Sequence, residues 1–146
     1  MFEVHIKLVG KKDFLVIENV LFCGLQSDFS KNTPVYFFQS SNGEQTEIPL
    51  SSVLYIKYSK GRFEEFKDDK ILFTAWFKTI DPDDSVIQVS DVLYSGLKAD
   101  DTITYYLAKK SGESYEIPLH SLAYLRFSKE RADRKEEEFK NKKIEG

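Results

Sequence analysis

The pattern of hydrophobic and polar residues predicts a chain built from β-strands. From Glu3 to Leu8 polar and apolar residues alternate, which is the period-2 signature of a strand with one buried face. A polar turn at Gly10–Asp13 precedes a second predicted strand over Phe14–Leu25. The same order returns later in the chain, where strands are predicted over Ala75–Ile80 and Val86–Leu97. Both halves of the chain are therefore predicted to be all-β.

A long stretch of the sequence occurs twice. Residues 43–60 recur at residues 112–129 with 10 identities in 18 positions. A shorter match joins residues 19–25 to residues 91–97, with 4 identities in 7 positions. The offset is 69 residues in the first match and 72 in the second, so the first copy holds three extra residues between its two blocks. A period of about 70 residues is longer than the roughly 20–50 residues of solenoid repeats, and it indicates a small domain present twice.

Each copy contains a clear hairpin signal. Asn42-Gly43 and the aligned Ser111-Gly112 separate two predicted strands, and an Asn-Gly pair readily takes the positive φ values that a tight hairpin turn needs. The sequence Glu-Ile-Pro-Leu follows in both copies, at Glu47–Leu50 and Glu116–Leu119. Proline has no backbone N–H, so we expect it to end the strand and to open one helical turn. A short fifth strand then completes each copy, over Val53–Tyr58 and Leu122–Phe127.

This order of elements resembles that of SH3-like and Sm-like small β-barrels. The predicted fold is all-β, with two tandem five-stranded SH3-like or Sm-like barrels and a short charged C-terminal helix. The expected domains are residues 1–70 for the first barrel and its linker, residues 71–128 for the second barrel, and residues 129–146 for the helix or tail. The second barrel is expected to begin near Phe73.

Both copies end in a strongly charged segment. Residues 60–70 form the predicted linker, and residues 129–143 are rich in good helix formers. Two pairs of opposite charge in the second segment are spaced four residues apart on one helix face, namely Glu130 with Arg134 and Glu136 with Lys140. Such a segment is either a solvated, solubilising helix or a helix that docks on a partner.

The likeness to Sm proteins can be followed residue by residue. Sm proteins carry a glycine in the second strand, an Asp and an Asn before the third strand, and an Arg-Gly pair in the next hairpin. Gly24, Asp28 and Asn32 resemble the first part of this pattern with a shorter spacing, and the second copy has Gly96 and Asp100. Neither hairpin has the Arg-Gly pair. The resemblance covers the strand order, whereas the residues with which Sm proteins bind RNA are mostly missing.

The composition favours a cytoplasmic protein with little attraction for polyanions. Residues 1–72 hold 9 basic and 10 acidic side chains, and residues 73–146 hold 12 and 14, so each half is close to neutral. The single cysteine, Cys23, rules out an internal disulfide and fits a reducing compartment. No apolar run has the length of a signal peptide or of a membrane span. We therefore expect a cytoplasmic location and no membrane contact.

The residues that could support catalysis are few. The chain has two histidines, His5 and His120, and neither is duplicated in the other copy, as Cys23 is not. A Cys23–His5 pair on adjacent strands is the one conceivable nucleophile and base. The acidic segment Asp81–Asp84 lacks the glycine and the distal glutamate of a calcium loop, and a turn is the simpler interpretation. The sequence predicts a protein that is not an enzyme, with no metal and no cofactor.

Aromatic residues are the feature most relevant to function. Consecutive apolar residues on a strand place hydrophobic surface on both faces, so one face fills the core and the other is either covered by the second copy or left for a partner. The predicted function is a non-catalytic binding or adaptor module that associates with another protein or with itself. The alternative is an Sm-like or OB-like nucleic-acid binder, in which rings stack on bases. The candidate partner-binding residues are Tyr36, Phe37, Tyr55, Tyr105, Tyr106 and Tyr124.

Overall fold

The structure of the protein is a computed structural model that describes residues 1–28, 33–99 and 103–134. These residues form an all-β fold with ten strands and one short helix, α1, at residues 129–134. The first half supplies β1 (Phe2–Leu8), β2 (Leu15–Asp28), β3 (Thr33–Ser40), β4 (Gln45–Pro49) and β5 (Val53–Tyr58). The second half supplies β6 (Phe73–Thr79), β7 (Ile87–Ala99), β8 (Ile103–Lys109), β9 (Ser114–Pro118) and β10 (Leu122–Phe127).

All ten strands belong to one antiparallel sheet, whose order is β10-β6-β7-β8-β9-β5-β1-β2-β3-β4. In each half the fifth strand lies beside the first, and the remaining strands follow in chain order. The two halves meet where β5 pairs with β9, with Ile56 opposite Glu116 and Tyr58 opposite Ser114. The outer strands β4 and β10 form the two edges of the sheet.

The all-β class is confirmed, but the two closed barrels are not seen. β4 and β5 of the first half are not neighbours, because the free side of β5 is taken by β9 of the second half. Pairing between the halves satisfies backbone N–H and C=O groups that would otherwise be exposed along two sheet edges. The sheet therefore stays open and runs through both halves.

Two hydrophobic cores lie along this sheet, and β5 contributes to both. Val53, Ile56 and Tyr58 pack in the first core, which is otherwise built from the first half of the chain. Leu54 and Tyr55 pack in the second core with side chains of the second half. Because β5 packs into a core on each of its faces, its sequence is almost continuously apolar. The second core is therefore incomplete without a strand from the first half.

The glycines of the duplicated turns have the positive φ that the sequence predicts, whereas Asn42 does not. Gly43 and Gly112 have φ values of 89° and 96°, the left-handed region that favours glycine. Asn42 is not left-handed, so glycine alone supplies the positive φ of this turn. After each hairpin the proline ends the strand, and a one-turn 3-10 helix follows at Leu50–Ser52 and Leu119–Ser121.

The two turn glycines differ in their surroundings, and this yields a prediction. A Cβ at Gly112 would lie 2.6 Å from the carbonyl oxygen of Phe63 in the linker, whereas a Cβ at Gly43 would meet nothing within 4 Å. We expect Gly43→Ala to lower the free energy of unfolding by about 1–2 kcal/mol, the penalty of a left-handed L-residue. Gly112→Ala should lower it by a further 1–3 kcal/mol or so, because the linker must move. Urea denaturation of the two variants measures the difference, and equal losses would contradict the close approach of the linker.

The start of the predicted C-terminal helix is present, but its first turns are less solvated than expected. Arg134 is buried, and its guanidinium donates a hydrogen bond to the carbonyl oxygen of Leu93 and lies over the ring of Tyr94. The predicted pair Glu136–Lys140 lies outside the described residues. Among the described residues, no helix has the length and apolarity needed to cross a membrane.

Candidate functional site

The aromatic residues of β3 are mostly internal. Tyr36 and Phe38 are buried in the first core, with stacked rings whose centroids are 6.2 Å apart. Phe37 points to the other face, is half-buried, and contacts Phe22 edge-on at 6.2 Å. Its ring lies close to Gly24, where a Cβ would approach the Phe37 ring to 3.2 Å. Phe37 therefore covers a glycine of the neighbouring strand.

The corresponding residues of β8 repeat this arrangement. Tyr105 is half-buried and packs against the second core and the ring of Phe127. Tyr106 is also half-buried, and its ring lies over Gly96, where a Cβ would approach it to 3.4 Å. Glycine at this place in the strand leaves room for an aromatic ring from the next strand. The pairs Gly24–Phe37 and Gly96–Tyr106 therefore have a packing role in each half.

The two remaining predicted site residues occupy matching sequence positions with opposite exposure. Tyr55 on β5 is 7% exposed, and its ring contacts Phe77 of the second half at 5.3 Å and Phe14 at 5.8 Å. Tyr124 on β10 is 48% exposed. The difference follows from packing, because β5 lies at the junction of the halves and Tyr55 enters the second core, whereas β10 is an edge strand of the described sheet. Of the six predicted residues, Tyr124 is the one that the structure leaves on the surface.

The buried carboxylate of Glu116 joins the two halves beside the pairing of β5 with β9. Glu116 on β9 is 6% exposed and reaches into the first half of the chain. Its Oε1 accepts a hydrogen bond from Nη1 of Arg62 at 2.9 Å, and its Oε2 accepts from the hydroxyls of Tyr58 at 3.2 Å and Tyr36 at 3.3 Å. The guanidinium of Arg62 also stacks on the ring of Tyr58 at 3.9 Å. Both oxygens of the buried carboxylate are therefore satisfied by groups of the other half.

Burial and charge change the acidity of the groups around Glu116. Burial, followed by the charge of Glu116, raises the pKa of the Tyr36 and Tyr58 hydroxyls far above the ordinary value of 10.0. Burial alone would lower the pKa of Arg62, but the neighbouring Tyr58 and Glu116 outweigh it and the pKa rises. At neutral pH, Tyr36 and Tyr58 therefore keep their protons and Arg62 keeps its charge, so all three can donate hydrogen bonds to Glu116.

Sequence reasoning missed Arg62, although a signal was present. The duplicated block ends at Lys60 and Lys129, and two residues farther on Arg62 aligns with Arg131. Arg131 stacks on Phe127 at 3.9 Å, as Arg62 stacks on Tyr58. Extending the alignment past its last identities would have singled out both arginines.

The candidate catalytic residues are not brought together. His5 lies opposite Val16 in the β1–β2 ladder, and Cys23 is seven residues farther along β2, about 23 Å of extended strand. The imidazole of His5 instead shares a hydrogen bond with Glu3 at 2.7 Å. Cys23 is half-buried beside the first core, and burial raises the pKa of its thiol. His120 is exposed in the turn after Pro118.

The acidic turn between β6 and β7 is held by its own side chains. The hydroxyl of Thr79 donates to Asp84 Oδ2 at 2.8 Å, and the backbone N–H of Asp83 donates to Asp81 Oδ1 at 2.9 Å. The ammonium of Lys78 donates to the carbonyl oxygens of Asp81 and Asp84. In the part of the chain that the structure describes, no three His, Cys, Asp or Glu residues are grouped to hold a metal.

Alkaline pH is expected to lower the free energy of unfolding, because the tyrosines are harder to ionise in the folded protein than in the unfolded chain. Burial raises the pKa of Tyr55 to about 12 and also raises the pKa of Tyr115. The unfolded chain releases these protons near pH 10 while the folded chain retains them, so stability is complete below pH 10 and falls as pH rises from 10 toward 12. Tyr55 alone removes up to about 1.4 kcal/mol per pH unit in that range. Tyrosinate absorbance followed together with circular dichroism checks this; full tyrosine ionisation in a still-folded protein would contradict it.

No protein-family model matches this chain, and neither the curated proteins nor the solved structures contain a significant match to it.

Proposed function

We propose that this protein is a non-catalytic binding module that associates with proteins through the edge strand β10 and its exposed aromatic residue. The observation that carries this proposal is the contrast between Tyr55 and Tyr124. At the same place in each copy, one tyrosine is buried in the core of the other half and the other is 48% exposed.

An edge strand offers two kinds of contact to a protein partner. Its outer backbone N–H and C=O groups can pair with an added strand, and alternate side chains give specificity. On β10 the side chains of Ala123, Tyr124 and Arg126 are exposed. A tyrosine and an arginine are residue types that contribute much of the binding energy of interfaces. The β10 edge thus offers backbone N–H and C=O groups for strand pairing together with side chains suited to a protein interface.

The charge distribution supports a protein partner over a nucleic acid. Strong binding to nucleic acid depends on clustered Lys and Arg that displace counterions. Each half of this chain carries slightly more acidic than basic side chains. Phe37 and Tyr106, which would stack on bases in the alternative function, lie over strand glycines instead. We interpret each half as a small SH3-like unit, and we expect the module to act in the cytoplasm, where Cys23 stays reduced.

The proposal predicts that one surface residue governs partner capture. Tyr124→Ser, tested on tagged protein recovered from its native lysate, should abolish co-purification of protein partners. Phe22→Ser is a matched control, because Phe22 is 49% exposed on a strand in the other half. It should leave capture unchanged, and nuclease treatment should have no effect on either protein.

Two results would overturn the proposed function. Capture that is equal for Tyr124→Ser and wild type would exclude the β10 edge. Tight, salt-sensitive binding of single-stranded oligonucleotides by the purified protein would favour the nucleic-acid alternative. Circular dichroism of both variants confirms that the sheet is retained.

A further inference from the structure

The two edge strands, β4 and β10, correspond in sequence to β9 and β5, the two strands that pair at the junction of the halves. Inside the chain, β9 of the second half adds to β5 of the first half. In the duplicated block, β4 corresponds to β9 and β10 corresponds to β5. Among the described residues, neither β4 nor β10 pairs with a strand on its outer side, and these two counterparts of the junction strands lie at opposite edges of the sheet.

We propose that copies of this chain associate end to end, with β4 of one copy adding antiparallel to β10 of the next. This inference rests on the proposed function, since it names the partner of the β10 edge as a second copy of the chain. By the register of the internal junction, Leu125 of one copy faces Glu47 of the next, and Phe127 faces Gln45.

Burial at the internal junction shows what the edges lack. Leu54 and Tyr55 are 1% and 7% exposed because the second half covers them, whereas their counterparts Ala123 and Tyr124 are exposed. All five residues of β9 are buried, whereas β4 is exposed at three of its five positions. An added β4 would bring the first half of the next copy against Tyr124, as β9 brings the second half against Tyr55.

The glutamate and the arginine of the internal junction both have counterparts near the open edges of the sheet. Glu47 is the counterpart of Glu116 and is exposed on β4. Arg131 is the counterpart of Arg62, and it is held over the ring of Phe127 at the same 3.9 Å that separates Arg62 from the Tyr58 ring. In the end-to-end assembly, Glu47 of one copy pairs with Arg131 of the next.

A cavity beside Arg131 has room for the carboxylate of Glu47 from a neighbouring copy. A cavity of about 250 Å³ is lined there by Arg131 and Ser95, among others. Ser95 is the counterpart of Cys23, which lies near Arg62 and Glu116 in the first half. The Nε of Arg131 donates a hydrogen bond to Ser95 Oγ at 3.3 Å, which fixes the guanidinium at the cavity wall.

The proposed junction is weaker than the internal one because some of its residues differ and because no linker joins its two sides. Phe127 replaces Tyr58 and removes one of the hydroxyls that donate to the carboxylate, and Ala123 replaces Leu54 and removes apolar contact. The linker also ties the internal halves together at a high effective concentration, which separate copies lack. The association is therefore reversible and depends on concentration.

Charge sets the direction of association. The β4 edge carries Glu44 and Glu47. β10 and α1 carry a net positive charge, because Arg126, Lys129, Arg131 and Arg134 outnumber Glu130 and Asp133. Pairing β4 with β4 would bring like charges together, and so would pairing β10 with β10. The contact is therefore heterologous, and it generates a ring if the rotation between copies closes or a filament if it does not.

Sedimentation velocity of the full chain, from low micromolar to near millimolar concentration, tests the inference. Wild type should shift from the 17.0 kDa monomer to larger species. Glu47→Arg and Arg131→Glu should each raise the dissociation constant about 30-fold or more, because each brings like charges together in a desolvated contact. Glu18→Arg, the same charge change at an exposed position on β2, should leave association unchanged.

Exchanging the two charges separates a loss of association from a loss of folding, because a misfolded variant would not regain association. The double variant Glu47→Arg/Arg131→Glu should associate again, and so should an equimolar mixture of the two single variants, because each mixed junction pairs opposite charges. Wild type that stays monomeric throughout overturns the inference while leaving the proposed function open to its own capture test. Association that neither single variant weakens, or that the double variant fails to restore, overturns this junction.

Discussion

Replacing Glu116 with alanine is expected to lower the free energy of unfolding by about 3–5 kcal/mol, as for other broken buried ion pairs. The carboxylate is 6% exposed and pairs with Arg62 at 2.9 Å, so its loss leaves a guanidinium in a desolvated site. The hydroxyls of Tyr36 and Tyr58 lose their acceptor at the same time, and buried donors without partners destabilise further. Urea denaturation followed by circular dichroism measures the change.

The control for this prediction comes from the other copy. Glu47→Ala removes the corresponding exposed carboxylate and should change the stability of the dilute protein by no more than about 0.5 kcal/mol. Glu116→Gln keeps an acceptor for the hydroxyls but loses the charge, so we expect a loss between these two values. Equal losses for Glu116→Ala and Glu47→Ala would show that the Glu116 network does not join the halves.

Leu54→Ala is expected to destabilise the second half of the protein although Leu54 belongs to the first. The side chain is 1% exposed and packs in the second core, so truncation leaves a cavity there and lowers the free energy of unfolding by about 2–5 kcal/mol. Leu21→Ala is the matched control, because Leu21 is 50% exposed on β2, and it should lower stability by less than about 0.5 kcal/mol.

The single tryptophan allows the two halves to be followed separately. Trp76 lies on β6, so its fluorescence reports the second half, whereas circular dichroism reports the whole sheet. Both signals should shift together in Leu54→Ala, because the β5–β9 junction makes the two halves one cooperative unit. A fluorescence transition that stays at the wild-type midpoint would show that the second half folds without Leu54.

Local features of the fold could be predicted because local chemistry determines them. Alternation from Glu3 to Leu8 identifies β1, and the positive φ of Gly43 and Gly112 follows from the turn that glycine permits. The proline of each Glu-Ile-Pro-Leu sequence ends a strand because it cannot donate to the ladder. None of these features requires contact between distant residues.

The candidate site was predictable only in part. The aromatic residues of the strands were found because they align between the two copies, but their exposure was not, because Tyr55 and Tyr124 occupy matching positions and differ in what covers them. Arg62 was missed because its importance depends on Glu116, which lies 54 residues away in the chain. Sequence spacing alone does not reveal such a pair.

The sequence by itself determined the strands, the turns and the duplication, since each depends on residues close together in the chain. Only the tertiary structure decided that the halves share one open sheet in place of two barrels, that β5 is buried on both faces, and that Glu116 is enclosed while Glu47 is exposed. Matching positions of the duplicated sequence take different environments because β5 of the first copy pairs with β9 of the second, and this pairing is made once within the chain. Within the residues that the structure describes, β4 and β10 are the strands left at the two edges of the sheet.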